Sequence, residues 1–497
     1  MCVSFKKERS CGVLMHISSL PSEFGIGSLG SEAFKFVNFL NEAGLKVWQM
    51  LPICPVDETG SPYCSVSAFA GNPLLIDLTL LEQEGLVNLV EFDELEWGTN
   101  EVAVQFDVVR KNKEQVLRAA FKNWLKKNNK SILHNFAQIN QWAHSYAVFQ
   151  VLSSEFEGQP WWNWPHDFKF RNKNTLEAFE STHEEAILFY LFEQLVFFQQ
   201  WGCLKQHAKN QGVNLMGDLP IYVSQNSVDV WVNPENFCLD SDLMPKVVAG
   251  CPPDAFSEEG QLWGNPIYDW GKMQQNGYSW WTQRFKSCCG LFDFVRIDHF
   301  RGFESFYCIE FGRTNTKEGV WIKGPGFNFF EAVQQKIGKL NLIAEDLGFL
   351  TDETRALLKQ TGFPGMEVLQ LSFDTREKNS YLPHFYDYNS VCYTGTHDNN
   401  TAVGWFNEIG EELRNHCKQY LNFTNEPVNW ALIRAAMASV CKLAIIPMQD
   451  FLGLDETFRM NTPGTTKNNW RWRLAKNQFP KADLILKIRN MVQLYER

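Results

Sequence analysis

Eight short apolar segments most constrain what this chain can fold into. They are brief enough to be buried strands, most are separated by helix-like patterns, and they occupy residues 12–17, 45–51, 213–219, 292–298, 340–345, 365–371, 391–396 and 443–448. Strands that alternate with helices are typical of α/β proteins with a parallel sheet, and eight is the strand number of a closed (β/α)8 barrel. The sequence therefore predicts an α/β fold of the TIM-barrel type.

The intervals between these segments contain recognisable helices. Apolar faces that end at Gly44, at Gly338 and near Gly362 predict three of them, and Thr351 or Asp352 would cap the last. A helix followed by glycine is the expected pattern, because glycine readily adopts the left-handed conformation that closes many helices.

Two long inserts interrupt the alternation. A largely helical insertion, residues 80–182, lies between the second and third strands, and a loop-rich insertion, residues 224–290, lies between the third and fourth. Neither is bounded by an evident linker, and no internal repeat is visible. Residues 1–497 are therefore predicted to form a single barrel whose two inserts are subdomains rather than independent domains.

Several strands are predicted to end in polar residues that would face one rim of the barrel. They are His16, Gln49, Asp218, Asp298, Glu345 and Asp398. An acidic residue after a single strand is commonly a helix cap or a surface charge, but the functional groups of such barrels gather at the carboxyl ends of the strands. Two carboxyl groups can serve as nucleophile and general acid/base at a sugar's anomeric carbon, and a third can stabilise the cationic transition state.

The charge balance indicates which partners to expect. The chain has 46 Lys and Arg residues against 57 Asp and Glu, a formal net charge of −11. An extended phosphate-binding surface is not expected from this balance, so no nucleic-acid partner is predicted and a neutral ligand fits better. The longest apolar stretch, residues 186–198, is interrupted by Glu193 and Gln194 and is too short to cross a bilayer, so no membrane partner is predicted either.

The cysteines indicate the cellular compartment. There are 13, with no CxxC pair; Cys288 and Cys289 are adjacent, and Cys392 and Cys441 lie within apolar runs. Most are predicted to be small core residues rather than disulfide partners. With no signal peptide evident, this pattern predicts a protein of the reducing cytoplasm.

One formal motif is rejected. The string GIGSLG at 25–30 matches the GxGxxG pattern of dinucleotide-binding proteins, but no strand leads directly into it, and Trp48 and Gln49 stand where the motif requires an acidic residue. A nicotinamide-dependent enzyme is thus a remote alternative. No phosphate-binding loop, HExxH motif or cluster of metal ligands is apparent, so no metal is predicted.

Nine strings, in order along nearly the whole chain, carry a resemblance to a known family. They are GVLMHISSLPSEFGIGSLG (12–30), WQMLPICP (48–55), GSPYCSVSAFAGNPLLIDL (60–78), GDLPIYV (217–223), PPDAFSEEGQLWGNP (252–266), FVRIDHFRGF (294–303), AEDLG (344–348), YTGTHDN (393–399) and RMNTPGT (459–465). The chain resembles the 4-α-glucanotransferases of the amylomaltase, or disproportionating enzyme, family, which are relatives of the α-amylases.

The resemblance implies roles for three carboxylates. Asp298 would be the nucleophile, Glu345 the general acid/base and Asp398 the transition-state stabiliser. Arg296, two residues before Asp298 on the same strand face, is expected to hold the pKa of that carboxyl down, whereas burial is expected to raise the pKa of Glu345. His299 is left open between a site residue and a structural histidine behind the strand.

The resemblance also implies a substrate, a set of binding residues and an acceptor-side loop. The substrates would be malto-oligosaccharides and other α-1,4-glucans, with no cofactor, and the loop 252–266 would cover the acceptor side. The residues expected to bind substrate are Tyr63, Asp218, Asp254, Trp263, Arg296 and His397.

Two alternatives remain on the same barrel. An α-amylase-type retaining hydrolase would use the same three carboxylates with water as the acceptor; the 252–266 loop and the SPY motif favour transfer to another glucan. A catalytically silent glucan-binding protein would not require the three carboxylates and Arg296 together. The oligomeric state is not predicted.

Overall fold

The computed structural model of the protein describes residues 9–253, 259–348, 350–373 and 381–497. In chain order, the strands of these residues are β1 (Ser10–Leu14), β2 (Val47–Gln49), β3 (Asn214–Leu219), β4 (Val247–Cys251), β5 (Gln261–Pro266), β6 (Phe294–Ile297), β7 (Ser305–Glu310), β8 (Val320–Lys323), β9 (Leu342–Ala344), β10 (Gly365–Val368), β11 (Ser390–Tyr393) and β12 (Leu443–Pro447).

Eight of these strands form the predicted barrel. Their order is β10-β11-β12-β1-β2-β3-β6-β9, and every neighbouring pair is parallel. At the seam between β9 and β10 the Ala344 amide donates to the Pro364 carbonyl at 2.8 Å, so the sheet is nearly closed. The α/β-barrel prediction is confirmed.

The barrel strands are shorter than the apolar segments that predicted them. Residues 369–371, predicted as strand, begin a helix, and Met448 likewise opens a helix after β12. β10 is paired with β11 only from Gly365 to Val368, where β11 ends at Tyr393. A strand persists only while a neighbour supplies hydrogen-bond partners, so the apolar pattern overestimates its length.

Helices surround the barrel and fill the inserts. They are α1 (Ser31–Ala43), α2 (Leu78–Gln83), α3 (Phe106–Lys127), α4 (Ser131–Ile139), α5 (Gln141–Glu155), α6 (His166–Lys169), α7 (Lys173–Thr182), α8 (Glu184–Asn210), α9 (Val228–Val232), α10 (Trp270–Gln275), α11 (Ser279–Leu291), α12 (Phe327–Ile337), α13 (Asp352–Thr361), α14 (Leu369–Ser372), α15 (Ala402–Glu408), α16 (Glu411–Leu421), α17 (Val428–Ala438), α18 (Met448–Leu452) and α19 (Ala482–Leu494).

The three helices predicted from glycine stops are confirmed. Gly44, Gly338 and Gly362 follow α1, α12 and α13 with φ of 80°, 83° and 68°. The Thr351 side chain accepts a hydrogen bond from the Thr354 amide and so caps α13. The sequence pattern was reliable here because caps are local interactions between residues close in the chain.

The long segment between β2 and β3 contains α2 to α8, and α9 to α11 lie between β3 and β6. A second sheet, with strand order β5-β4-β7-β8, joins residues on both sides of β6 and is antiparallel throughout. The sequence analysis did not anticipate this sheet. The assignment of 80–182 and 224–290 as insertion subdomains stays a prediction.

The barrel strands are buried on both faces. Each residue of β2, β6, β9, β11 and β12 is buried, because the helices cover the outer face and the barrel core covers the inner one. Among the described residues no helix is long and apolar enough to cross a membrane.

Glu193 is an acidic residue inside this apolar framework. It lies on α8 and is only 4% exposed, and burial raises the pKa of its carboxyl to about 8, with a further upward contribution from Glu114 and a downward one from Arg118. The folded protein therefore retains a proton at Glu193 that the unfolded chain, with an ordinary pKa near ~4.3, releases.

Glu193→Gln should consequently stabilise the protein more at pH 8 than at pH 5. At pH values between the unfolded and folded pKa, the folded wild type binds one proton more than the unfolded chain. Its free energy of unfolding therefore falls as pH rises through that range. Glutamine does not titrate and removes this loss, so the variant's free energy of unfolding should exceed that of the wild type by about 1–3 kcal/mol at pH 8. Denaturant unfolding at both values measures it. Glu185→Gln, at an exposed position of the same helix, is the control; equal gains at both pH values for Glu193→Gln would contradict the prediction.

Candidate active site

The acidic residues predicted at strand ends lie along one rim. Asp218 is within β3, Asp298 follows β6 and Glu345 follows β9. The Asp298 amide donates to Leu219 O at 3.0 Å, and the Glu345 amide donates to Ile297 O at 2.9 Å. The backbone just past each of these strand ends thus remains hydrogen-bonded to the neighbouring strand, which fixes the position of the carboxylates.

A buried guanidinium joins two of them. Arg296 Nη1 lies 2.7 Å from Asp218 Oδ2, 2.8 Å from Asp218 Oδ1 and 3.1 Å from Asp298 Oδ1. The side chains of Arg296 and Asp218 are 3% and 0% exposed, whereas that of Asp298 keeps 27% of its surface exposed. The arginine is therefore a buried cation shared by an enclosed carboxylate and an accessible one.

Tyr63 extends the network to the opposite wall. Its hydroxyl donates to Asp218 Oδ2 at 2.7 Å and lies 2.9 Å from His397 Nε2. The hydroxyl proton is used on Asp218, so His397 must donate from Nε2 to the tyrosine oxygen. The two rings are nearly parallel, with centroids 5.3 Å apart. Burial lowers the pKa of His397 below its ordinary value, which favours the neutral ring.

Asp398 is held at the edge of this network and remains open. His397 Nε2 lies 3.3 Å from Asp398 Oδ2, and Asn461 Nδ2 donates to Oδ1 at 2.6 Å. Arg459 Nη2 donates to the Asp398 backbone carbonyl at 2.6 Å. The Asp398 side chain is 41% exposed. Its carboxylate is thus oriented by neighbours while part of it faces solvent.

Glu345 is oriented by backbone amides. Its Oε2 accepts from the His299 amide at 2.6 Å and its Oε1 from the Leu347 amide at 3.0 Å. His299 has φ 49° and ψ 53°, the left-handed conformation that a non-glycine residue seldom adopts. In this conformation the amide of His299, the residue that follows Asp298, is directed at the Glu345 carboxylate.

His299 and Trp263 lie together. The simple strand alternation that would place His299 behind the strand fails, because the chain leaves the strand at this residue in the left-handed conformation. The His299 ring instead meets the Trp263 ring edge to face, with centroids 4.9 Å apart. Trp263 is 36% exposed. Asp254, predicted to bind substrate, lies outside the described residues.

Burial dominates the acid–base behaviour of the carboxylates. Burial raises the pKa of Asp298 to about 8; Arg296 lowers it, and Asp218, Glu345 and Asp398 raise it. Burial also raises the pKa of Glu345, against the lowering effects of Arg296 and the two amides. The expected influence of Arg296 on Asp298 is present, but the expectation of a net low pKa is wrong because burial, together with the neighbouring carboxylates, outweighs the one cation.

Sequence reasoning missed three contributors. Asn461 and Arg459 lie in the quoted string RMNTPGT, but nothing in its pattern assigned them to Asp398. Trp470 packs against Tyr63 and His397, with ring centroids 5.5 and 5.9 Å away. It has φ 66°, another left-handed non-glycine residue. The RMNTPGT string was the available sequence signal for Asn461 and Arg459. No sequence signal pointed to Trp470.

Chemically, the pocket offers coupled carboxylates, one guanidinium and a neutral imidazole, with part of two carboxylates open to a ligand. Such a set can retain a proton near neutral pH while another carboxylate stays paired with Arg296. Within the described residues no group of three or more His, Cys, Asp or Glu side chains is arranged to hold a metal ion.

Comparison with known proteins identifies relatives along almost the whole chain. A family model described as 4-alpha-glucanotransferase matches residues 15–478. The 4-alpha-glucanotransferase of Clostridium butyricum is 42% identical over 486 residues, which cover 97% of this chain and 100% of the relative. That of Aquifex aeolicus is 41% identical over 485 residues, covering 97% and 98%.

Solved structures agree. The amylomaltase from Streptococcus agalactiae, solved in complex with acarbose, superposes with a TM-score of 0.96 at 36% identity, covering 99% of this chain and 100% of that one. The amylomaltase from Corynebacterium glutamicum gives a TM-score of 0.77 at 16% identity, covering 99% and 76%. The second likeness bears on the fold alone.

Arg296→Met should destabilise the fold, because it leaves the enclosed Asp218 without its cation, at a cost of about 3–5 kcal/mol in unfolding free energy. It also removes the group that lowers the pKa of Asp298. The folded pKa of that carboxyl, already about 8, then rises further, so the variant keeps a proton that the wild type releases above pH 8, and we expect the loss to grow from pH 8 to about pH 9. Denaturant unfolding checks this. Asp218→Asn in the same chain should restore part of the stability; no restoration would contradict the assignment of the ion pair.

Proposed function

This chain belongs to the 4-alpha-glucanotransferase family, and from that premise we propose how its carboxylates transfer a segment of an α-1,4-glucan to the 4-hydroxyl of another glucan or of glucose. The observation that carries the proposal is the coupled set of Asp298, Glu345 and Asp398 at one rim of the barrel. The mechanism has two displacements at the anomeric carbon, which together retain its configuration.

In the first displacement the Asp298 carboxylate attacks C1 of the donor sugar. The C1–O4 bond breaks, and the departing O4 takes a proton from Glu345. Asp298 has the Arg296 guanidinium at 3.1 Å, whereas no described cation lies within ion-pair distance of Glu345. When the coupled pair holds one proton, we assign that proton to Glu345 and the negative charge to Asp298.

The surroundings of Glu345 suit a group that gives and takes a proton. The His299 and Leu347 amides stabilise the carboxylate that remains once the proton has left. In the second displacement the acceptor's 4-hydroxyl returns its proton to Glu345, its oxygen attacks C1, and the ester bond to Asp298 breaks. Because the amides are fixed by the backbone, Glu345 stays in place through both steps.

Asp398 and its neighbours are assigned to the donor ring. The exposed part of the Asp398 carboxylate would accept hydrogen bonds from sugar hydroxyls, while Asn461 and His397 hold it in orientation. Hydrogen bonds that strengthen as positive charge develops on the ring accelerate bond cleavage. Asp218 and Tyr63 support this arrangement through Arg296 and His397.

The acceptor side is assigned to the region of Trp263. Its exposed ring, braced by His299, would pack against the apolar face of an acceptor sugar. Contact of Asp254 with an acceptor hydroxyl remains a prediction. An α-amylase-type hydrolase would share the carboxylates, but the matching family and the relatives are transferases. We also propose a cytoplasmic location.

With maltotriose as the sole substrate, we expect glucose and a ladder of longer maltodextrins, because the covalent donor is passed to a sugar hydroxyl. Total reducing ends should stay nearly constant, since each bond cleaved is replaced by one formed. Chromatography of the products with a reducing-end assay measures both. Asp298→Ala is the control and should give neither glucose nor longer maltodextrins. Shorter products with rising reducing ends would establish hydrolysis instead.

Glu345→Gln should lose turnover of natural glucans by several orders of magnitude, yet still accept an α-glucosyl-type fluoride, whose leaving group needs no protonation. We expect one glycosyl mass on the peptide containing FVRIDHF, observed by mass spectrometry. Adding Asp298→Ala should abolish the label. A label on a peptide containing Asp398 or Asp218 would transfer the nucleophile's role to that residue.

A further inference from the structure

A side chain helps to close the barrel at the seam between β9 and β10. There the Ala344 amide donates to the Pro364 carbonyl at 2.8 Å. In a regular parallel ladder the next hydrogen bond would run from the Met366 amide to the Ala344 carbonyl. The Met366 amide instead donates to Asp346 Oδ1 at 2.7 Å. A carboxyl group on the segment after β9 thus takes the place of a main-chain acceptor.

Glu345, assigned above as the general acid/base, lies between the two contacts of this seam. On its other side its amide donates to the Ile297 carbonyl at 2.9 Å, and its carbonyl accepts from the Phe300 amide at 3.0 Å. Its main chain is therefore tied directly to β6 and to the turn that follows β6. The attachment to β10 past Glu345 is made by the Asp346 side chain.

The Asp346 carboxyl group has a defined place on β10. A Cβ built on Gly365, the first residue of β10, would lie 2.6 Å from Asp346 Oδ2, and its three nearest atoms all belong to Asp346. The carboxyl group therefore packs directly on the β10 backbone. A side chain at residue 365 would compete with it for that position.

The contact does not require Asp346 to be charged. Burial raises the pKa of its carboxyl to about 7, against the lowering effect of the Met366 amide, and Glu345 adds to the rise. Near neutral pH a part of the molecules therefore carries a proton on Asp346. A protonated carboxyl keeps a carbonyl oxygen that accepts hydrogen bonds, so the bond from the Met366 amide can form in both states.

We propose that Asp346 is a positioning residue for the general acid/base, and that it acts by holding the Glu345 segment against β10. The role of Glu345 rests on the proposed function, whereas the contact of Asp346 rests on the geometry of the seam. The acid must lie within hydrogen-bond distance of the departing oxygen when the C1–O4 bond breaks. A displacement of about 1 Å can lower the rate about a hundredfold.

Asp346→Ala should distinguish donors by their need for an acid. With maltotriose we expect kcat to fall about 10- to 100-fold and KM to change less than about twofold, because the groups assigned to sugar binding stay in place. With an α-glucosyl-type fluoride, whose leaving group needs no proton, the initial release of fluoride should stay within about threefold of the wild-type rate. An equal loss with both donors would overturn the proposal.

Asp346→Asn is the conservative variant. It keeps an oxygen that can accept from the Met366 amide, so both rates should stay within about threefold of the wild type. A loss with maltotriose as large as that of Asp346→Ala would overturn the proposal, because the charge and not the contact would then be required.

Asp293→Ala is the matched control at the opposite end of the barrel. Asp293 immediately precedes β6, and its Oδ2 accepts from the Leu215 amide of β3 at 2.8 Å. This variant removes the same kind of bond between neighbouring strands, so we expect a lower Tm and an unchanged ratio of the two donor rates. A selective loss with maltotriose as large as that of Asp346→Ala would overturn the proposal, since any loosening of the barrel would then suffice.

Gly365→Ala tests the same contact if Asp346→Ala does not fold. Its methyl group should displace the Asp346 carboxyl from β10, and we expect the same selective loss with maltotriose. Wild-type rates with both donors would overturn the proposal. Glu345→Gln, measured in parallel, separates the two levels of inference: unaltered turnover of maltotriose by that variant would overturn the proposed function, whatever the result at Asp346.

Discussion

One buried guanidinium determines the electrostatics of the rim. Arg296 neutralises Asp218, which is fully enclosed, and the same nitrogen reaches Asp298, which is open to a ligand. With Glu345 and Asp398 nearby, negative groups outnumber the cation, and burial makes each additional charge costly. The cluster relieves this by retaining a proton, which is the condition that general acid catalysis requires. The protonated acid is thus a consequence of too little positive charge among the buried carboxylates, rather than of one particular residue.

The relation between nucleophile and acid is set by backbone rather than by side-chain packing. Asp298 and His299 are consecutive, and the left-handed His299 directs its amide at Glu345. The Glu345 amide in turn donates to Ile297, within β6. One main-chain hydrogen bond and one hydrogen bond from a main-chain amide to the Glu345 carboxylate therefore tie the ends of β6 and β9, so that the acid and the nucleophile cannot separate without breaking both. Strain at a single residue is acceptable where the surrounding sheet holds it.

The sequence predicted what depends on local pattern and burial. Eight apolar segments predicted the barrel correctly because its strands are buried on both faces. Glycines after apolar helix patterns predicted three helices correctly. The antiparallel sheet was not foreseen because β8 is exposed at every residue and because the pairing of β4 with β7 joins segments on opposite sides of β6 in the chain. The acidic residues at strand ends could be predicted from the sequence. Trp470 could not, since its contacts to Tyr63 and His397 join residues far apart in the chain. The predicted direction of the Asp298 pKa was wrong for the same reason: that pKa depends first on burial and then on Asp218, Glu345 and Asp398, and only the fold brings these together.

Much of the open wall of the pocket comes from a segment that follows the last barrel strand. Between α18 and α19, where every residue is described, the only helical elements are short 3₁₀ turns, yet Arg459, Asn461 and Trp470 position Asp398, Tyr63 and His397. Arg459 binds a backbone carbonyl and Asn461 is neutral, so neither forms an ion pair with the carboxylates. The segment can thus shape the sugar-facing surface without neutralising the excess negative charge around Arg296. Recognition and proton retention are assigned to different groups, and variation in this segment can alter the substrate that fits while the acid–base pair stays the same.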